Sequence, residues 1–121
     1  MTRTRVLVAE DDPSVRMTLE FVLEDEGFEV LFAENGRQAL DLALSEPLDV
    51  LLLDQLMPIM DGTEVLAALR ENESTRSLPV FVLSGMSRRG PEDWGDAFFV
   101  GKPFSPEDLV NRIKAVVSPN G

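Results

Sequence analysis

The sequence predicts an α/β domain: a parallel β-sheet with helices packed on both faces. Three observations carry this expectation. Short apolar runs rich in valine, leucine and phenylalanine alternate with segments whose apolar residues recur at helical spacing. Four of the runs are unbroken hydrophobic stretches, as in strands covered on both faces. Strands that alternate with helices must be joined by right-handed crossovers, which places them in parallel and sends helices to either face.

Each element has its own warrant. "RVLVA" (5 to 9) reads as the first strand. A helix follows, with Asp12 as N-cap, Pro13 in the first turn, Val15, Leu19, Val22 and Leu23 on one face, and Gly27 as the stop. "EVLFA" (29 to 33) is the second strand, and Ala39, Leu40, Ala43 and Leu44 form the stripe of the next helix. "DVLLLD" (49 to 54) is the third strand, followed by a helix with Val65, Leu66 and Leu69 inward. "PVFVLS" (79 to 84) is the fourth strand and "AFFV" (97 to 100) the fifth. Between them, "GMSRRGPEDWGDA" holds three glycines and a proline. These cost roughly 1 and 3 kcal/mol each inside a helix, so the helix expected there is short, displaced or absent. The last helix opens on "SPEDL", where Ser105 caps, Pro106 occupies the first turn and Asp108 takes the box position, ahead of Leu109, Val110, Ile113 and Val117.

Composition narrows the function. A chain of 121 residues with 44% apolar content fits one globular domain and argues against a disordered chain. No run approaches a membrane span, and "MTRTR" precedes too short an apolar run for a signal peptide, so a cytoplasmic protein with no membrane partner is expected. The chain has no cysteine and no histidine, which removes disulfides, thiolate zinc sites and the commonest general base. A net charge of -11 opposes binding to a phosphate backbone, so no direct nucleic-acid contact is expected.

In an open parallel sheet the carboxyl ends of all strands share one edge, where ligands bind. That edge receives Glu10, Asp11 and Asp12 after the first strand, Asp54 closing the third, Ser84 closing the fourth and Lys102 just past the fifth. Carboxylates so gathered repel, each pair by up to ~4 kcal/mol at a separation of ~4 Å and an effective dielectric of about 20. A cation relieves that repulsion, and with only oxygen ligands on offer magnesium, manganese or calcium fits and zinc does not. Asp54 is the only acid that ends a central strand, placed to attack a phosphorus in line and form a mixed anhydride, with Lys102 as counter-charge and Ser84 as a neutral donor. Asp12 reads as a helix cap, and Met57 and Met60 as loop packing; Trp94, Phe98 and Phe99 read as core or half-buried aromatics.

In this order and at these spacings, "VLVAEDDPSVR", "LLLDQLMPIMDG", "VFVLSG" and "FFVGKPF" resemble the receiver domain of two-component response regulators. The resemblance implies one receiver domain over residues 1 to 121, with a core of about 5 to 117, and a flavodoxin-like doubly wound sheet of order 2-1-3-4-5. It implies a stand-alone, chemotaxis-receiver-like module or a piece excised from a longer chain. Its implied activity is that of a phosphorelay phosphoprotein, taking a phosphoryl group from a histidine kinase or histidine phosphotransfer protein and switching a surface that binds a downstream protein. It implies no enzyme acting on another substrate. Asp54 takes the place of the phosphoacceptor. Asp11 falls on the direct magnesium ligand and Glu10 on one acting through water, with Asp54 and the Leu56 backbone carbonyl completing the set and manganese as the alternative ion. Ser84 matches the switch hydroxyl, Lys102 the phosphoryl-facing lysine and Phe99 the switch aromatic, and the Lys102–Pro103 bond is expected cis.

The chain departs from the family pattern in places. Glu10 and Ser84 stand for the commoner aspartate and threonine, and only eighteen positions separate Ser84 from Lys102, a shortened interval. Residues 86 to 96, with Trp94 inside them, are therefore expected to order on phosphorylation. Three other readings share parts of this pattern. A dehalogenase-like phosphatase needs a second aspartate two residues after the nucleophile, where this chain has Leu56, and a flavodoxin needs a Ser/Thr/Gly-rich phosphate loop after the first strand. A pseudo-receiver interaction module without regulated phosphorylation would have lost acceptor-site residues, and all are present, but the altered fourth-helix interval keeps it as the alternative.

Overall fold

The structure is a computed structural model that describes residues 3–55, 57–85 and 97–117. Five strands, β1 (Arg5–Ala9), β2 (Glu29–Ala33), β3 (Val50–Asp54), β4 (Val80–Ser84) and β5 (Phe98–Gly101), form one parallel sheet in the order β2-β1-β3-β4-β5. Four helices lie among the described residues: α1 (Pro13–Asp25), α2 (Gly36–Ser45), α3 (Gly62–Glu71) and α4 (Pro106–Val117). The strand order and the two-faced wrapping are those the resemblance implies. No helix of the described residues is long and apolar enough to cross a membrane. The expectations about residues 86 to 96 and Trp94, and the Leu56 carbonyl, lie outside the described residues.

Strand alternation divides the interior into two layers. Leu7, Ala9, Leu51, Leu53, Val80 and Val82 face α2 and α3, while Val6, Val8, Val50, Leu52, Phe81 and Leu83 face α1 and α4. The central strands are therefore covered on both sides, and their apolar runs are continuous. The edge strands are less covered: β2 is mostly half-buried, and Phe98 of β5 is exposed, stacked on Phe81 with ring centroids 4.8 Å apart. Leu44, placed by its spacing on the inner stripe of α2, is exposed instead, because only Ala39, Leu40 and Ala43 reach the sheet before the helix ends at Ser45. Met57 is buried and Met60 packs against the same layer, so both serve loop packing.

Helix starts follow the local chemistry. Asp12 accepts from the Ser14 amide at 2.9 Å, Asn35 from Gln38 at 2.8 Å and Ser105 from Asp108 at 3.3 Å, while Asp61 and Glu64 form a capping box. After α1, Gly27 adopts φ 90°, the left-handed stop that glycine accommodates. The start of α2 meets the loop after β3 so closely that a Cβ on Gly36 would sit 1.7 Å from the Met60 carbonyl oxygen. At the opposite, amino-terminal edge, the Arg5 amide donates to the Asp49 carboxylate at 2.7 Å and the Asp49 amide to the Arg5 carbonyl at 2.9 Å. The Arg5 guanidinium adds bonds to Pro47 O at 2.9 Å and Glu46 at 3.3 Å.

Candidate functional site

Glu10, Asp11, Asp54, Ser84 and Lys102 reach the carboxyl edge of the sheet, whereas Phe99 lies within β5 opposite Val82, and alternation decides which of them meet. Glu10 continues the parity of Val6 and Val8, Asp54 that of Val50 and Leu52, and Lys102 that of Val100, so all three belong to the α1/α4 side. Their side chains converge there. Lys102 Nζ donates to Glu10 Oε1 at 3.2 Å and to Asp54 Oδ1 at 3.1 Å. The second Glu10 oxygen accepts from the Asp12 amide at 3.1 Å. The lysine is carried to this point by its own amide, which donates to Ser84 O at 2.8 Å, and the Lys102–Pro103 peptide is cis. Glu10 is fully buried and Asp54 nearly so, whereas Asp11 is exposed.

Ser84 and Phe99 have the opposite parity, on the α2/α3 side, where Phe99 is half-buried against the apolar layer. There the Ser84 hydroxyl donates to Gln55 Oε1, and both residues are buried. Gln55 was missed in the sequence reading. The available signal was its place in the alternation 51, 53, 55, where two leucines point inward and a polar amide follows them. Asp12 is the exposed N-cap of α1, and the Ser14 hydroxyl and amide hold its carboxyl below the usual range. Beside Lys102 a groove of about 470 Å³ opens between the start of α1 (Ser14, Val15, Thr18) and Pro103, Phe104 and Pro106.

The charges are only partly balanced. One oxygen each from Glu10, Asp11 and Asp54 lies within 4.8 Å of the others, and the single ammonium of Lys102 leaves two negative charges in excess when all are ionised. Burial, then the charge of Asp54 and a hydrogen bond with it, push the Glu10 carboxyl up to about 7 against the pull of the Asp12 amide and Lys102. Burial works to lower Lys102, but the hydrogen bond and charge of Asp54, together with Glu10, outweigh it and leave its pKa raised, so the ammonium persists. An oxygen-only cluster carrying excess negative charge fits a hard divalent cation of the magnesium or manganese kind.

A pH dependence follows. Glu10 in the native state holds its proton up to about 7, whereas the unfolded chain releases it near 4.5. Between these values the native state binds more protons, so stability falls as pH rises, by at most about 3 kcal/mol at 1.36 kcal/mol per unit. No histidine shares the window. Without divalent cation, the melting temperature should drop between pH 5 and 7.5, and magnesium should raise it more at pH 8 than at pH 5. A flat profile would refute the buried, proton-holding Glu10.

Comparisons with known proteins agree with this geometry. The family model described as "Response regulator receiver domain" matches residues 6–114. The chain is 36% identical over 117 residues to the transcriptional regulatory protein SrrA of Staphylococcus aureus, an alignment covering 93% of this chain and 47% of that protein. It thus spans about half the length of the curated relatives it matches. Among solved structures, the chemotaxis protein CheY4 of Vibrio cholerae superposes with a TM-score of 0.86 at 30% identity, covering 95% of this chain and 99% of that one. The receiver domain of the Francisella response regulator 1452 gives 0.88 at 28% identity, with 98% and 100% covered.

Proposed function

The chain belongs to the response regulator receiver domain family of two-component systems, and from that premise we propose that Asp54 accepts a phosphoryl group from the phosphohistidine of a kinase or phosphotransfer protein. The observation that carries this reading is the placement of the Asp54 carboxylate. It closes the central strand, is almost buried, and lies 3.1 Å from Lys102 with Glu10 and Asp11 in ligating range of one another.

In the transfer, one Asp54 oxygen attacks phosphorus in line. The new P–O bond forms as the P–N bond to the donor imidazole breaks, and the imidazole leaves with the electron pair. A bound magnesium or manganese ion would neutralise charge developing on the phosphoryl oxygens, held by Glu10, Asp11, Asp54 and the Leu56 carbonyl. Lys102 keeps its proton and offers a compact positive charge to the phosphoryl group from its seat between Glu10 and Asp54. Ser84 donates its hydroxyl proton to a phosphoryl oxygen, and Phe99, on the same face of the sheet, repacks in response. The changed surface is read by a downstream protein in the cytoplasm; the net charge of -11 makes direct contact of this domain with nucleic acid unfavourable.

Acetyl phosphate with magnesium, followed by intact-mass measurement, tests the proposal. The protein should gain a single phosphoryl group, and only when the cation is present. A mass unchanged under conditions that label other receivers would overturn it.

A further inference from the structure

We infer that Gln55 is a positioning residue that holds the Ser84 hydroxyl away from the phosphoryl site, so that activation must break a Ser84–Gln55 hydrogen bond. The inference rests on the acceptor reading of Asp54. It starts from a division of the sheet edge. Asp54 and Gln55 are consecutive, so their side chains leave the strand on opposite faces: Asp54 toward Glu10 and Lys102, Gln55 toward Ser84. The nucleophile and the group that engages the switch hydroxyl are therefore neighbours in sequence and separated by the sheet.

The contact is held from several directions. The Gln55 amide donates to Leu83 O at 3.0 Å, extending the β3–β4 ladder by one rung and setting Gln55 beside Ser84. The Gln55 carbonyl accepts from Gly62 at 3.0 Å, and a Cβ on Gly62 would lie 3.1 Å from Gln55 Cα, so the backbone has little room to drift. Ser84 is pinned from its other side by the Lys102 amide on its carbonyl. Side-chain torsions can separate the pair without disturbing these backbone bonds.

A serine hydroxyl has one proton to donate. In the resting protein Ser84 gives it to Gln55 Oε1; to bond a phosphoryl oxygen it must withdraw it, leaving a buried amide oxygen without that donor. Gln55 thus opposes the active arrangement by the value of one buried hydrogen bond. A net contribution of 0.5 to 1.5 kcal/mol corresponds to about 2- to 12-fold in an equilibrium constant. A leucine in its place would keep the bulk and remove the opposition.

The experiment is a double-mutant cycle read with beryllofluoride and magnesium as the phosphoryl mimic. Gln55→Leu should bind the mimic about 5-fold more tightly than the parent, and in a Ser84→Ala background the same substitution should change nothing. Unchanged or weaker binding by Gln55→Leu, or an equal gain without the serine hydroxyl, overturns the inference. A second readout needs no ligand. In metal-free protein Ser84→Ala and Gln55→Leu should each lower the melting temperature, and the double variant should fall no further than the worse single; strictly additive losses mean the pair is uncoupled and overturn it. Gln55→Met, of equal length, takes the place of Gln55→Leu if that variant unfolds. A parent that binds no beryllofluoride refutes the acceptor reading and takes this inference with it, whereas a parent that binds, with variants that bind alike, refutes the role of Gln55 alone.

Discussion

Asp54→Asn should take up no phosphoryl group from acetyl phosphate under conditions that label the parent to completion. The substitution keeps the volume and planar shape of the side chain and removes the nucleophilic carboxylate, so the loss would belong to chemistry and not to packing. Lys102 keeps its second partner, Glu10, at 3.2 Å, and the edge should remain folded. The same variant has a second consequence. Asp54 raises the Glu10 carboxyl both by its charge and through a hydrogen bond, so its removal should bring Glu10 back toward the ordinary carboxylate range. The loss of stability between pH 5 and 7.5 should then be smaller than in the parent. Equal labelling of the variant would move the acceptor elsewhere, and an unaltered pH profile would mean that Glu10 is raised by burial alone.

Gly36→Ala should be the most damaging small substitution outside the acidic cluster. Helix propensity argues for it, since alanine is favoured over glycine by about 1 kcal/mol inside a helix. Sterics oppose it more strongly. The added Cβ would meet Met60 O at 1.7 Å, Met60 C at 2.6 Å and Met60 Cβ at 2.9 Å, and the first two are backbone atoms that no rotamer change can withdraw. The loop that would have to yield is itself tied down, by the bond from the Met60 amide to Pro58 O at 2.8 Å and by the capping box at Asp61. Overpacking of this kind costs about 1 to 3 kcal/mol, and a backbone contact belongs at the upper end. A fall in melting temperature of roughly 10 °C is expected for a domain of this size. Gly27→Ala offers the contrast: its φ of 90° imposes strain, but nothing lies within 4 Å of the added carbon, so its loss should be smaller. A melting temperature for Gly36→Ala at or above that of the parent would mean that the loop after β3 moves aside freely.

Much of this molecule can be read from its residues in order, and the reasons for the exceptions are physical. The five strands announce themselves because central strands of a parallel sheet are apolar on both faces, and their ends differ from the sequence reading by a residue or less. Residues such as Asp49, Pro79 and Ala97 lie just outside the strand bounds, although the Asp49 amide and the Pro79 carbonyl each make one backbone bond to the neighbouring strand, and only the ladder decides where pairing begins. The edge residues Glu10, Asp54, Ser84 and Lys102 were legible because topology alone brings strand ends together. The partition among them was not. That Lys102 bridges Glu10 and Asp54 while Ser84 turns to Gln55 depends, beyond the alternation legible in each strand, on which residues stand opposite one another across strands, a register that a single chain of letters does not carry. Leu44 failed for a related reason: helical spacing gives a face, but how far along the helix that face stays covered is set by where the sheet ends.

The clamp between Arg5 and Asp49 acts at the far end of the strands from the chemistry, yet it works as an alignment pin. The Arg5 amide on the Asp49 carboxylate, the Asp49 amide on the Arg5 carbonyl and a guanidinium anchored on Pro47 O and Glu46 index the start of β3 against the start of β1. A slip of β3 by one residue would shift its carboxyl end by about 3.3 Å and turn every side chain to the other face. Gln55 would then face Lys102, and the carboxylate of Asp54 would be directed into the apolar layer beneath α2 and α3. The separation of Glu10 from Asp54 is thus gauged from the opposite rim of the sheet, five residues away, by groups that never touch the phosphoryl site.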